Sequence, residues 1–150
     1  MARRKIPDGG PDMTNSEIAE KLRGFGIHPS QQRIAVYACL DSMRNHPTAE
    51  MIYSALSPEH PSLSKTTVYN TLKLFHSRGA VRNVVIEDGE MRYDADTAPH
   101  AHFKCMKCGS ISDLFFDPRK YLPELPGGFS AEEIHVNYRG LCSLCRQKHP

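Results

Sequence analysis

Residues 64–93 read SKTTVYNTLKLFHSRGAVRNVVIEDGEMRY and contain the clearest structural pattern in the chain. Ser64 can cap a helix, and apolar side chains then recur at three- and four-residue intervals until Gly79, a residue type that commonly ends helices. Two runs rich in β-branched residues follow, and Asp88-Gly89 between them is a signal for a hairpin turn. The stretch therefore predicts a helix followed by a β-hairpin.

Three further helices are predicted before this stretch. Thr14 and Glu17 form a capping-box pattern ahead of the first, and Ser30 and Thr48 stand ahead of the second and third. Each segment contains apolar residues at helical spacing. Helices followed by a hairpin form a winged-helix arrangement, in which the last helix is placed to read DNA.

The polar face of that last helix carries groups that suit contact with DNA. Hydroxyl, phenol and amide groups can reach phosphate oxygens or base edges, and a lysine adds attraction that does not depend on base sequence. Residues 1–82 also have a net charge of +4, whereas residues 83–150 have −2, which favours a polyanionic partner for the first part. An ordinary solvated helix face remains the alternative. The candidate DNA contacts are Ser64, Lys65, Thr66, Thr67, Tyr69 and Asn70.

Two Cys-x-x-Cys pairs, Cys105/Cys108 and Cys142/Cys145, predict a structural zinc site. Four thiolates match the tetrahedral coordination of Zn²⁺ and leave no position for water or substrate. Redox dithiols or disulfides are the alternatives, but disulfides are rare in the cytosol. A cytosolic protein is expected because no apolar run approaches the roughly 18 residues of a membrane span. The fifth cysteine, Cys39, is expected to be a buried small side chain without a function.

A second group of metal-binding residues surrounds the first cysteine pair. His100 and His102 point to the same face of an extended segment, and Asp94 and Asp113 lie nearby in the sequence. Two imidazoles with carboxylates form a mixed nitrogen and oxygen donor set, which suits Fe²⁺, Mn²⁺ or Zn²⁺ better than a soft ion. Any one of these residues alone is more often a surface group, so the prediction rests on their combination.

Taken together, four segments resemble the ferric uptake regulator (Fur) family of metal-dependent repressors. They are HPTAEMIYSAL (46–56), SKTTVYNTLKLF (64–75), RYDADTAPHAHFKCMKCG (92–109) and CSLC (142–145). The resemblance covers about residues 14–146 and, within the family, is greatest to the peroxide-sensing PerR branch.

The resemblance implies two metal sites. The four cysteines of the two pairs correspond to the structural zinc ligands of the family. The regulatory Fe²⁺ or Mn²⁺ site of the peroxide sensors corresponds to His46, Asp94, His100, His102 and Asp113. His46 and His100 are the positions at which the family pattern places oxidation by peroxide.

Several residues favour the peroxide branch over the iron sensors. Iron sensors of the family usually have glutamate at the two carboxylate positions and arginine after the recognition-helix tyrosine, whereas this chain has aspartates and Asn70. A further metal site of some family members uses positions that are Pro99 and Ala101 here, so that site is expected to be absent.

The expected molecule has an α+β fold and is a cytoplasmic homodimer that represses transcription by binding double-stranded operator DNA, without being an enzyme. Residues 14–93 are expected to form a winged-helix DNA-binding domain. Residues 100–150 are expected to form a small α/β dimerisation domain with the four-cysteine zinc site, joined by a hinge at 94–99. Residues 1–13, which include the basic ARRK at 2–5, are expected to form a flexible arm.

Other functions remain alternatives. An iron- or zinc-availability repressor of the Fur or Zur type would sense metal occupancy without oxidation. A non-catalytic zinc-ribbon adaptor would use the cysteines but would leave the predicted recognition helix and wing unexplained. A zinc hydrolase or deaminase is disfavoured because four thiolates close the zinc site.

Overall fold

The computed structural model describes residues 13–87 and 89–148. The predicted basic arm, apart from Met13, and the turn residue Asp88 lie outside the described residues. Within this part the order of elements is α1 (Asn15–Gly24), α2 (Gln31–Ser42), α3 (Ala49–Leu56), α4 (Lys65–Ser77), β1 (Arg82–Glu87), β2 (Glu90–Asp94), β3 (Ala101–Cys105), β4 (Ile111–Leu114), a 3₁₀ turn (Pro118–Tyr121), β5 (Asn137–Gly140) and α5 (Ser143–Lys148). The fold is α+β, and the chain forms two compact units that divide between Thr97 and Ala98.

The first four helices begin where the sequence predicts. Thr14, Ser30, Thr48 and Ser64 each precede a helix, and each side chain accepts the backbone N–H of the residue three positions later. At α1 the capping box is complete, because the Thr14 N–H also donates to Glu17 Oε2 at 2.7 Å. These bonds satisfy donors that a helix start otherwise leaves unpaired.

The N-terminal unit has one apolar core, formed where the four helices and the hairpin meet. Its fully buried large side chains include Leu22, Val36, Tyr37, Ile52, Val68, Leu72 and Phe75. The antiparallel hairpin β1-β2 pairs Val84 with Arg92, and an isolated bridge pairs Arg92 with Thr48 at the start of α3. The hairpin is therefore bonded to the segment that carries His46.

The C-terminal unit is built on a three-stranded sheet with the order β4-β3-β5. Strand β3 runs antiparallel to β4, with His102 opposite Asp113, and parallel to β5, with Cys105 opposite Gly140. The residues from Phe129 to Tyr138, which follow the Pro- and Gly-rich PELPGG turn, predict a strand, but only Asn137 and Tyr138 of this range belong to β5. Because β3 starts at Ala101 and pairs His102 with Asn137, the described pairing between β3 and β5 does not reach residues 129–135.

Among the described residues, no helix is both long enough and apolar enough to cross a membrane.

Candidate metal centres and a candidate DNA-binding helix

The four cysteines of the two Cys-x-x-Cys pairs meet in the C-terminal unit. The Sγ atoms of Cys105, Cys108, Cys142 and Cys145, here called the four-cysteine cluster, all lie within 4.8 Å of one another, and those of Cys108 and Cys142 are 3.9 Å apart. A tetrahedral Zn²⁺ with Zn–S bonds of about 2.3 Å requires sulfur atoms about 3.8 Å apart. The cluster therefore fits zinc in both donor type and spacing.

Backbone geometry explains why the cluster forms. Cys105 ends β3, and the chain then turns so that the Gly109 N–H donates to the Cys105 carbonyl at 2.9 Å, with Gly109 in the left-handed region at φ 74°. The parallel partner β5 ends at Gly140, whose carbonyl accepts the Met106 N–H at 2.7 Å. This pairing delivers Cys142 next to Cys105, although the two residues are far apart in sequence.

Local hydrogen bonds favour the thiolate form of Cys105 and Cys108 and the thiol form of Cys145. Backbone N–H groups, that of Cys108 first and that of Cys142 at 3.4 Å, lower the pKa of Cys105 to about 6. The Ser110 hydroxyl lowers the pKa of Cys108, whereas a hydrogen bond with Cys142 raises the pKa of Cys145 to about 12. Four like charges repel at this spacing, so full ionisation of the cluster requires a bound cation.

A second donor group lies in the same unit. His100 Nε2 and His102 Nε2 are 3.0 Å apart, and each is 3.5 Å from Asp113 Oδ1. An ion about 2.1 Å from neighbouring ligands at right angles would place them about 3.0 Å apart. These three residues, the histidine-aspartate triad, match the two-histidine, one-carboxylate arrangement that binds Fe²⁺ on one face and leaves other positions open.

The surroundings of the triad orient its ligand atoms. The His100 Nδ1–H donates to the Ala98 carbonyl at 2.7 Å, which fixes the tautomer and leaves Nε2 as the atom with a lone pair. Both histidine side chains are buried. His102 lies in β3 and Asp113 directly opposite in β4, so the sheet register holds these two ligands together.

The other predicted regulatory ligands, His46 and Asp94, meet in the N-terminal unit. His46 Nε2 lies 3.4 Å from Asp94 Oδ2, and both residues are buried. The Asp96 N–H donates to the other carboxylate oxygen of Asp94 at 2.8 Å, so Oδ2 is the oxygen that faces the imidazole. His46 has a left-handed backbone, with φ 54°, a conformation that costs about 1–2 kcal/mol in a residue with a Cβ atom.

Helix α4 exposes the residues that the sequence predicts as DNA contacts. Lys65, Thr66, Tyr69 and Asn70 are exposed, with Tyr69 50% accessible, while the opposite face of the helix is buried. Ser64 also caps the helix, and Thr67 is half-buried beside it. An isolated lysine in the first turn of a helix is disfavoured by the helix dipole, and Lys65 is compensated by Glu50 at 2.8 Å.

Comparison with known proteins decides between these interpretations. The sequence model of the ferric uptake regulator family matches residues 25–137. The peroxide-responsive repressor PerR of Staphylococcus epidermidis is 34% identical over an alignment of 135 residues that covers 88% of this chain and 90% of the relative. The chain belongs to the ferric uptake regulator family. It is therefore a metal-dependent transcriptional repressor of a non-enzymatic family, for which operator DNA binding and dimerisation are implied.

Solved structures of the Fur family share the fold. The Helicobacter pylori ferric uptake regulator, described as having three functional metal-binding sites, aligns with a TM-score of 0.67 at 20% identity, covering 95% of this chain and 100% of that chain. PerR of Streptococcus pyogenes, described in terms of peroxide sensing and gene regulation, aligns with a TM-score of 0.50 at 27% identity, covering 89% and 94%. The four-cysteine cluster and the histidine and aspartate donors are typical of Fur-family proteins that bind zinc together with iron or manganese.

Sequence reasoning missed two residues that the structure places beside the candidate sites. Arg92 contacts the backbone of His46, and Glu50 pairs with Lys65. The only available signal for Arg92 was its position two residues before Asp94, which puts both side chains on the same face of a strand. Cys39 is half-buried on α2 and belongs to neither donor group, and its Sγ lies 3.5 Å from Met43 Sδ.

Proposed function

We propose that this protein is a peroxide-responsive repressor whose regulatory site takes ligands from both units. The histidine-aspartate triad offers three donors and the His46–Asp94 pair offers two more. The observation that carries the proposal is the triad, because its two-histidine, one-carboxylate set suits Fe²⁺ or Mn²⁺. The 34% identity to a protein named as a peroxide-responsive repressor supports the same function. Five ligands around an ion that accepts about six leave one place for peroxide.

The proposed switch depends on where the five ligands lie in the chain. His46 stands just before α3, and Asp94 ends the wing, so both belong to the unit that carries α4. The triad belongs to the other unit, so ligands that meet at one ion would fix the orientation of the two units. In a two-fold dimer this orientation sets the spacing of two recognition helices, which must match two half-sites on DNA. A hundredfold coupling would correspond to about 2.7 kcal/mol.

Loss of repression would follow from chemical change in the ligands themselves. Bound Fe²⁺ supplies the reductive activation of hydrogen peroxide, which Mn²⁺ supports poorly. In the net reaction the O–O bond of one peroxide and a ring C–H bond of His46 or His100 would break, a ring C–OH group would form, and the second oxygen would leave as water. The modified imidazole is a poorer donor, so the two units lose their common ligand set and DNA is released.

The experiment that tests this proposal measures operator-type DNA binding by protein that contains only zinc. The protein is reconstituted anaerobically with Fe²⁺ or Mn²⁺ and then given a small excess of peroxide. Mass spectrometry of the peptides that contain His46 and His100 should find a gain of about 16 Da with iron and not with manganese. DNA binding should be lost in parallel.

Two variants sharpen the result. His46→Ala should bind zinc and fold normally but should no longer need Fe²⁺ or Mn²⁺ for whatever DNA affinity remains. His28→Ala, which changes an exposed histidine in the same unit, should behave as the unchanged protein. Metal-dependent DNA binding that survives peroxide with unmodified histidines would instead identify a metal-availability repressor. DNA binding that never responds to metal would exclude both repressors and favour a zinc-ribbon adaptor.

A further inference from the structure

His46 has an unusual backbone for a ligand residue. Among residues 13–87 and 89–148 it is the only residue other than glycine with a positive φ, 54°, and it is 95% buried, with a relative exposure of 5%. Residues with a Cβ atom avoid this region, so a structure that keeps one there must hold it by surrounding contacts. The contacts that hold the backbone of His46 therefore influence the direction in which its imidazole points.

Those contacts come from strand β2. Arg92 Nη1 donates to the carbonyl oxygen of His46 at 3.0 Å, and the next residue, Tyr93, donates its N–H to the carbonyl of Pro47 at 3.0 Å. Arg92 also forms the backbone bridge with Thr48. One short piece of strand thus holds three consecutive residues of the loop that carries His46.

The same strand carries the partner of the His46 imidazole. Arg92 and Asp94 are two residues apart in β2, so their side chains project to the same face. Asp94 Oδ2 lies 3.4 Å from His46 Nε2, while the Arg92 guanidinium donates a hydrogen bond to the His46 carbonyl. Residues of β2 therefore contact both the backbone and the side chain of His46.

The Arg92 guanidinium is suited to this task and unsuited to binding a cation. Its side chain is 16% exposed and also approaches Glu90, with Nη2 3.6 Å from Oε2. A planar guanidinium directs several N–H groups at once, whereas a lysine ammonium has no fixed fork. Because arginine stays protonated, it cannot itself be a ligand to the metal.

We propose that Arg92 is a positioning residue for the regulatory metal: it holds the His46 peptide in the left-handed conformation that aims Nε2 at Asp94. This inference rests on the proposed function, since it assigns the role of Arg92 through the regulatory ligand His46. Arg92 acts before any metal binds, because it makes the His46–Asp94 pair rigid. Its removal would allow the loop to relax, and the entering ion would then have to reorder it.

The test measures the Mn²⁺ affinity of zinc-loaded full-length protein, by electron paramagnetic resonance of unbound Mn²⁺. Arg92→Met should weaken Mn²⁺ binding by about 10–100-fold, the usual effect of removing a group that orients a ligand. Arg92→Lys should restore part of the affinity, because it keeps one donor. Zinc content should remain unchanged in both variants.

Arg33→Met is the matched control, because Arg33 Nη1 donates to the carbonyl of another histidine, His28, at 2.9 Å. It should leave Mn²⁺ affinity unchanged even where thermal unfolding shows a similar loss of stability. The double variant provides the second control: in protein that already carries His46→Ala, Arg92→Met should have no further effect on Mn²⁺ affinity. A purely structural role would instead give additive losses.

The outcomes separate this inference from the proposed function. Wild-type affinity in Arg92→Met and Arg92→Lys, with the expected loss in His46→Ala, would overturn the role of Arg92 and leave the repressor proposal standing. Equal losses in Arg33→Met and Arg92→Met would also overturn it. Absence of Mn²⁺ binding in the unchanged zinc-loaded protein would overturn both.

Discussion

Replacement of Cys142 by serine should unfold the C-terminal unit and leave the N-terminal unit folded. The reason is the distribution of buried apolar side chains. In residues 98–148, Ala101, Cys105 and Pro118 are the buried apolar residues, and residues 119–135 are exposed throughout. Every other buried hydrophobic side chain of the described residues belongs to the N-terminal unit.

The energetic consequence is large. Each fully buried leucine- or valine-sized side chain contributes about 1.5–3 kcal/mol to folding, and the C-terminal unit has none of this kind in the range described. Ordering the backbone costs about 1–2 kcal/mol for each residue. A structural zinc contributes about 10–16 kcal/mol, which is more than the whole stability of many small domains. Within a single chain, the metal is therefore expected to be the main source of order in this unit.

Hydrogen–deuterium exchange followed by mass spectrometry resolves the two units. In Cys142→Ser, peptides from β3, β4 and β5 should lose protection, whereas peptides from α2 and α4 should keep it. Cys39→Ser is the matched control, because Cys39 lies outside the four-cysteine cluster. Strand peptides that remain protected in zinc-free Cys142→Ser would refute the reasoning, since packing rather than zinc would then hold the sheet.

Three smaller predictions concern single groups. Because backbone N–H groups lower the pKa of Cys105 from 9.0 to about 6, the stabilisation of its thiolate is complete above about pH 9, declines as the pH falls below 9 and is lost as the pH falls through 6. Protons should therefore compete with zinc for Cys105 below about pH 6, so a chromogenic chelator should remove zinc faster at pH 5.5 than at pH 7, and removal at equal rates at the two pH values would contradict this. Glu50→Gln should free Lys65 from its 2.8 Å ion pair, raise non-specific DNA affinity and steepen the dependence on log salt by about one; an unchanged slope would argue that Lys65 does not reach phosphate. Leu72→Ala removes a fully buried side chain and should lower the free energy of unfolding by about 2–5 kcal/mol in urea titration, whereas a loss of well under 1 kcal/mol would mean that the core can collapse around the gap.

The sequence predicts local features well because their causes are local. A capping box requires two residues three positions apart, and Thr14 and Glu17 meet this requirement. The structure confirms the helix that they begin. The spacing of Cys105 and Cys108 likewise describes a turn that can hold a metal whatever surrounds it. For these features, the residues that determine the structure lie within a few positions of one another in the sequence.

Features that depend on distant pairing escape prediction. Nothing in residues 129–138 indicates that strand pairing starts only at Asn137, because the limit is set by the length of β3. The left-handed conformation of His46 is held by Arg92, which is 46 residues away in sequence. A histidine before a proline gives no local signal for such a conformation, so the strain and its support become visible only in three dimensions.

The histidine-aspartate triad is expected to depend on the four-cysteine cluster more than the cluster depends on the triad, because both take residues from strand β3. Strand β3 has His102 near its start and Cys105 at its end, and β4 presents Asp113 opposite His102. If zinc holds this sheet together, removal of zinc should also separate the three residues of the triad. Zinc-depleted protein should then bind Mn²⁺ at least about tenfold more weakly. The reverse dependence is not expected: His100→Ala should retain its zinc, because no atom of His100 takes part in the four-cysteine cluster. Full Mn²⁺ affinity in zinc-depleted protein would show that the β3-β4 pairing alone keeps the triad in place.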